Sequence, residues 1–239
     1  MEFEAFKSSL IEKLEMINVK IDEHQAKQFY DYMNLLIEWN EKINLTAITK
    51  PEEIIKKHFV DSLTIANEIK ENESIADIGT GAGFPGIPLK IIFPNNEVVL
   101  IDSLNKRVKF LEEVINKLEL KNIKAIHSRA EEIGHDNNYR EHFCIVTSRA
   151  VAKLNVLLEY MKPLVKVGGK CICLKGPNIQ EEINEAKNAL EILGGKLEKV
   201  EETILPDSDN KRTIITVLSV KHLPNRFPRK AGTPTNSPL

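Results

Sequence analysis

Between Ile75 and Gly86 the chain reads Ile-Ala-Asp-Ile-Gly-Thr-Gly-Ala-Gly-Phe-Pro-Gly, a short apolar run and then four glycines within eight residues. Glycine has no Cβ and adopts positive φ at little cost, so such a stretch can turn sharply and bring its backbone against a ligand. An apolar strand, a glycine turn and the start of a helix form the ligand-binding corner of an open α/β sheet. Further on, Val98 to Asp102 is a second apolar run that ends in an acid. From that position a carboxylate accepts hydrogen bonds from both hydroxyls of a ribose. The two runs together predict a nucleoside-cofactor site rather than a glycine turn of structural use alone.

Gly81, Gly83 and Gly86 satisfy the G-x-G-x-x-G spacing of dinucleotide-binding proteins, a weak signal by itself. An earlier register, Asp77-x-Gly79-x-Gly81-x-Gly83, resembles the first motif of class I S-adenosylmethionine (SAM) methyltransferases, in which an acid precedes the glycines. Phe84-Pro85 suits a pyrophosphate cradle poorly, because proline has no N–H to donate. SAM is the expected cofactor, with a nicotinamide dinucleotide as the alternative.

Residues 3–70 read as helical. Asp22 with Gln25 resembles a capping box, and Pro51 suits the first turn of a later helix. His58 and Asp61 fall three apart on that helix and read as a capping or packing pair rather than a metal site. Strands are predicted near 74–79, 97–102, 123–128, 143–148 and 168–175, with helices near 86–93, 105–120, 152–162 and 179–193, the last capped by Asn178. Such alternation means a parallel sheet covered on both faces. Two final β-like runs, 196–205 and 213–220, have no helix between them, so an antiparallel hairpin closes the sheet. The expected architecture is α/β: a class I, Rossmann-like, mostly parallel seven-stranded sheet with a C-terminal antiparallel hairpin. Its divisions are a helical extension over 1–70, a SAM-binding domain over 71–222 and a basic tail over 223–239.

The 239 residues are 42% hydrophobic and 28% charged, an ordinary balance for a globular chain. No run approaches the roughly 20 apolar residues of a membrane span, and the acidic start Met1-Glu2-Phe3-Glu4 lacks the basic region of a signal peptide. A cytoplasmic protein is expected. Cys144, Cys171 and Cys173 lie in apolar stretches and read as buried thiols, with no zinc spacing around them. The net charge of −2 is unevenly distributed: residues 211–239 hold six of the 33 basic residues and no acid, leaving 27 basic against 35 acidic residues before them. A basic end on an acidic body suggests an anionic partner there.

Methyl transfer from a sulfonium requires the acceptor lone pair in line with the S–CH3 bond, and positioning supplies most of the acceleration. Exocyclic-amine methyltransferases usually carry Asn- or Asp-Pro-Pro-aromatic after the fourth strand; this chain has Thr147-Ser148-Arg149-Ala150. Pyrimidine-C5 methyltransferases need a nucleophilic cysteine, and Cys144 inside a strand is a poor candidate. A neutral ring nitrogen such as guanine N7 needs neither device.

The chain also resembles, over nearly its whole length, the glucose-inhibited division protein B family of bacterial guanine-N7 methyltransferases of small-subunit ribosomal RNA. The resemblance rests on Asn44-Leu45-Thr46, His58–Leu63, Asp77–Leu89, Asp102-Ser103 with Lys106-Arg107, Arg129-Ala130-Glu131, Thr147–Ala152, Leu174-Lys175-Gly176 and Pro228–Pro234. It implies that Gly79 and Phe84 line the SAM pocket, Asp102 holds the ribose, and Ala130 and Glu131 contact the adenine. Arg149 would lie where cofactor meets substrate. The family pattern has an acid in the fourth strand where this chain has Cys144, so no catalytic part is given to that position and no general base is expected.

The N7 edge of a paired guanine faces the narrow major groove of A-form RNA, so the target base must be looped out or flipped. Arg149, Lys175, Arg226, Arg229 and Lys230 are the expected phosphate contacts. The expected partner is small-subunit ribosomal RNA or the small subunit itself, bound by a monomer without metal. A non-catalytic RNA-binding protein of the same fold stays open as the other class.

Overall fold

The computed structural model describes residues 1–149 and 151–239. Seven strands form one sheet: β1 (Ser74–Ile78), β2 (Glu97–Asp102), β3 (Ile123–His127), β4 (Phe143–Arg149), β5 (Val165–Lys175), β6 (Gly195–Ile204) and β7 (Lys211–Ser219). Their order is β3-β2-β1-β4-β5-β7-β6, with β1 to β5 parallel and β7 antiparallel to both β5 and β6. This is the class I Rossmann-like arrangement expected from the sequence. The strand order reverses between β1 and β4, and in open α/β sheets a crevice opens at the carboxyl ends of such strands.

Successive side chains of a strand point to opposite faces. Ile75, Val98 and Leu100 therefore enter one core, while Ala76, Val99 and Ile101 enter the other. The first core is covered by the helices Gly86–Ile92 and Asn105–Lys117 and by the long helix Glu23–Ile43. That long helix starts on the predicted capping box: Asp22 accepts from the Gln25 backbone at 2.7 Å, and the Gln25 side chain accepts from the Asp22 backbone at 2.9 Å. Its buried stripe places Tyr32 against Phe84 (5.4 Å between ring centroids) and Phe29 against Phe59 (5.0 Å), pairs worth about 0.5–1.5 kcal/mol each beyond their area. The N-terminal helices and the sheet thus share one core that runs across residue 70.

On the second face, one predicted helix differs. The segment 179–193 is two short helices, Gln180–Glu185 and Lys187–Leu193, broken at Ala186. Asn178 is not the cap: it sits at φ +62, and no side chain among the described residues caps the first helix. Ile183, Ala186, Ala189 and Leu193 are all buried.

The segment from Leu223 onward, read from sequence as a tail, packs onto this face. Leu223 and Phe227 belong to the second core. The Arg140 guanidinium donates to the carbonyls of Phe227 (2.8 Å) and Leu223 (3.0 Å). The groups that hold the segment lie some eighty residues away in sequence, beyond the reach of a composition argument.

Candidate cofactor and substrate site

Two cavities abut at the carboxyl ends of β1, β2 and β4. The larger, about 410 Å³, lies between the glycine turn and the N-terminal helices and is lined by Thr46, His58, Phe84, Arg107 and Arg149 among others. The smaller, about 190 Å³, is lined by Asp102, Ala130, Glu131, Tyr160 and Gly232 among others. Gly79 and Val151 line both and form the neck between them. Gly79 has φ +65, and a Cβ there would fall 2.6 Å from Val151 Cγ2. The neck stays open because this residue has no side chain.

The glycine turn is held from below by Asp77, which is fully buried. Its Oδ2 accepts from Thr80 Oγ1 (2.6 Å) and the Gly86 backbone N–H (2.8 Å). Gly86 can come this close only without a Cβ, which would meet Leu100 Cδ2 at 2.3 Å. Among the described residues Asp77 Oδ1 has no partner, and burial pushes the carboxyl up to about 6. From above, Tyr32 donates its hydroxyl hydrogen to the Ala82 carbonyl; burial raises that phenol well beyond its ordinary range.

Asp102 ends β2 as predicted. Its Oδ2 accepts from Gly81 N–H (2.9 Å) and Arg107 (3.3 Å), and its Oδ1 from Leu104 N–H (2.9 Å). A carboxylate has about four acceptor positions, and the smaller cavity is where a further donor could reach it. Glu131 accepts from the Gly232 backbone at 3.0 Å, so the C-terminal segment forms part of that cavity's wall.

The other wall carries a cationic network. Arg149, at the end of β4, donates to Asp61 Oδ2 (3.1 Å), to the Lys57 carbonyl (3.2 Å) and to His58 Nδ1 (3.2 Å). Asp61 Oδ1 accepts from Arg212 at 2.9 Å. The guanidinium lies 4.8 Å from the centre of the Phe84 ring, and His58 stacks on the same ring at 4.5 Å. Burial, then the Arg149 charge, pushes His58 down to about 3, so the imidazole is neutral. Burial also lowers Arg149, while Asp61 opposes the shift.

All six residues expected around the cofactor, Gly79, Phe84, Asp102, Ala130, Glu131 and Arg149, line these two cavities. The expected phosphate contacts are different. Arg149 is spent on Asp61, and Lys175 pairs with Glu182 and the Ala152 carbonyl. Arg229 clamps the fully buried Glu159 through Nε (2.9 Å) and NH2 (2.6 Å). Each of these three cations has a partner within the protein, Arg149 while also lining the larger cavity, whereas Arg226 and Lys230 are exposed. His58 and Asp61 are partners of Arg149 rather than of each other. Thr46, Arg107, Tyr32 and Arg212 had no assigned role in the sequence reading; only their place in the folded chain brings them to the site. Cys144 stands near the start of β4, five residues from Arg149, with its thiol close to Ser74. Among the described residues no group of three or more His, Cys, Asp or Glu could hold a metal ion.

Residues 25–213 match the family described as rRNA small subunit methyltransferase G. A protein of that name from Acetivibrio thermocellus is 53% identical over 231 residues, covering 96% of this chain and 95% of its own length. One from Lachnoclostridium phytofermentans is 51% identical over 234 residues, covering 97% of each. Among solved structures, a SAM dependent methyltransferase from Aquifex aeolicus aligns with a TM-score of 0.55 and 22% identity, over 73% of this chain and 97% of that one. A match over 96% of the chain or more, on a sheet of this order with a glycine neck between two cavities, leaves one assignment: the chain belongs to the rRNA small subunit methyltransferase G family.

Proposed function

We propose that this protein is a SAM-dependent methyltransferase that modifies N7 of a guanine in small-subunit ribosomal RNA. It acts in the cytoplasm, as a monomer, and no helix among its described residues is long and apolar enough to cross a membrane. The observation that carries the reading is the pair of cavities joined at Gly79. Asp102 at the end of β2 would take the ribose hydroxyls, and Ala130 and Glu131 would flank the adenine. Gly79, Phe84 and Arg149 would hold the remainder of the cofactor. When bound, SAM supplies a sulfonium methyl: the guanine N7 lone pair makes the new N–C bond, and the breaking S–C bond leaves its pair on sulfur.

N7 carries no hydrogen, so the protein has no proton to remove. Its contribution is placement. Phe84, pinned between Tyr32, His58 and Arg149, gives the cavity a fixed wall. The neutral His58 does not titrate in the working range.

Labelled methyl transferred to small-subunit ribosomal RNA should map, by cleavage specific for N7-methylguanosine, to one guanine. The single-turnover rate should stay flat from about pH 7 to 8.5, above the Asp77 carboxyl at about 6, because a histidine held far below its ordinary value of about 6.5 loses its proton well before that window. Methyl on any other atom, or calorimetric binding of a nicotinamide dinucleotide in place of SAM, overturns the reading.

A further inference from the structure

The hydrogen-bond chain that starts at Arg149 fixes the direction of a hydroxyl at the far side of the larger cavity. A guanidinium only donates, so His58 Nδ1 accepts from Arg149 NH2. In a neutral imidazole the hydrogen then sits on Nε2, which lies 2.9 Å from Thr46 Oγ1 and donates to it. The Ile48 backbone N–H donates to the same oxygen at 3.0 Å. A hydroxyl has two acceptor lone pairs and one hydrogen. Both lone pairs of Thr46 are occupied, and no acceptor among the described residues takes its hydrogen. Thr46 is half-buried and lines the cavity with Phe84 and Arg149.

We infer that the Thr46 hydroxyl donates to O6 of the target guanine and thereby selects guanine over adenine. The inference rests on the guanine-N7 reading above. The edge of guanine that carries N7 offers two acceptors, N7 and O6, whereas adenine offers N7 and an amino donor. N7 must keep its lone pair for the incoming methyl group, so position 6 is where the two purines can be told apart on this edge. An isolated threonine could rotate and accept from the adenine amine. Thr46 cannot, because Ile48 and the Arg149–His58 pair hold it as a donor. A donor fixed in this direction and facing another donor disfavours the wrong base, as sites built around one polar group of a substrate do.

The test uses small-subunit ribosomal RNA carrying guanosine, inosine or 2,6-diaminopurine at the mapped target. Inosine keeps O6; 2,6-diaminopurine replaces it with an amine and leaves N7 available. RNA dissociation constants without SAM and single-turnover rates with SAM are both measured. The wild type should treat inosine like guanosine and disfavour 2,6-diaminopurine by about tenfold or more. Thr46→Val should bring guanosine and 2,6-diaminopurine together, mainly by loss on guanosine, and Thr46→Ser should keep the wild-type ranking. Equal use of guanosine and 2,6-diaminopurine by the wild type overturns the inference with no variant needed, as does full discrimination in a folded Thr46→Val protein. Methyl mapped to an atom other than N7 would instead remove the functional reading beneath it, so the two failures are distinct.

Discussion

The two pieces of chain that wall the site, from the N-terminal helices and from the C-terminal segment, both reach it through an arginine–carboxylate pair, and the pairs differ in kind. On the C-terminal side Arg229 grips Glu159 with parallel bonds, and the carboxylate is completely buried. Nothing of that pair enters either cavity. On the N-terminal side Arg149 shares Asp61 with Arg212 and still reaches His58, with its guanidinium over Phe84 on the cavity wall. The first pair is a clasp and the second a positioning device. An arginine is informative about function only once its counter-charge is known.

Breaking the clasp should give the largest effect. Arg229→Met leaves Glu159 buried without its main partner and should lower the unfolding free energy by about 3–5 kcal/mol, read by urea denaturation. Replacing both residues, Arg229→Met with Glu159→Leu, should recover most of that loss, since a buried pair exchanged for apolar groups is often neutral. If the single variant is as stable as the wild type, the two pairs are alike after all.

Breaking the positioning pair should act on rate more than on stability. In Arg149→Met, Asp61 keeps Arg212, so little charge is stranded. His58 loses the donor that orders it, and the single-turnover methylation rate at saturating RNA should fall about a hundredfold through lost orientation. SAM affinity by calorimetry should change less than the rate. A variant that loses stability and keeps its rate would make Arg149 a second clasp.

The same contrast shows what could be read without coordinates. The glycine turn, the acid ending β2, the alternation of strands and helices and the closing hairpin were legible because each is encoded in neighbouring residues. Asp77, Gly79 and Asp102 are legible for that reason. The network of Thr46, His58, Asp61 and Arg149 was not, although each lies in a stretch that resembles the family. Its members come from the N-terminal helices and from β4, about 90 residues apart in sequence, and no local pattern pairs them. Charge counting is silent at the C-terminal end for a related reason: six basic residues in 211–239 say nothing about which meet a buried acid. Arg212, Arg229 and Lys221 make internal contacts, and Arg226 and Lys230 are exposed.

The smallest expected effect concerns that exposed pair. Arg226→Ala with Lys230→Ala should flatten the log–log salt dependence of RNA binding by somewhat under one unit for each phosphate no longer neutralised, with denaturation unchanged. Arg229→Met should leave the slope as it is while lowering stability. A slope unaffected by the double variant would move the RNA surface away from the C-terminal segment altogether.

The core that crosses residue 70 has a bearing on cooperativity. Phe59 from the helical extension packs against Phe29, Tyr32 and the sheet half's Phe84, and Tyr32 packs against Phe84 too. Tyr32 also holds the Ala82 carbonyl in the glycine turn. Elements that share a core open together rather than as separate units, so heat should melt extension and sheet in one transition. A fragment beginning near residue 71 would present the uncovered Phe84, Ile87 and Phe110 side of its sheet to water, an apolar patch of the kind that aggregates. The SAM fold here is therefore not a detachable module carrying a recognition arm. Whatever surface the helical extension turns toward RNA is built on the same packed side chains that keep the cofactor turn in shape.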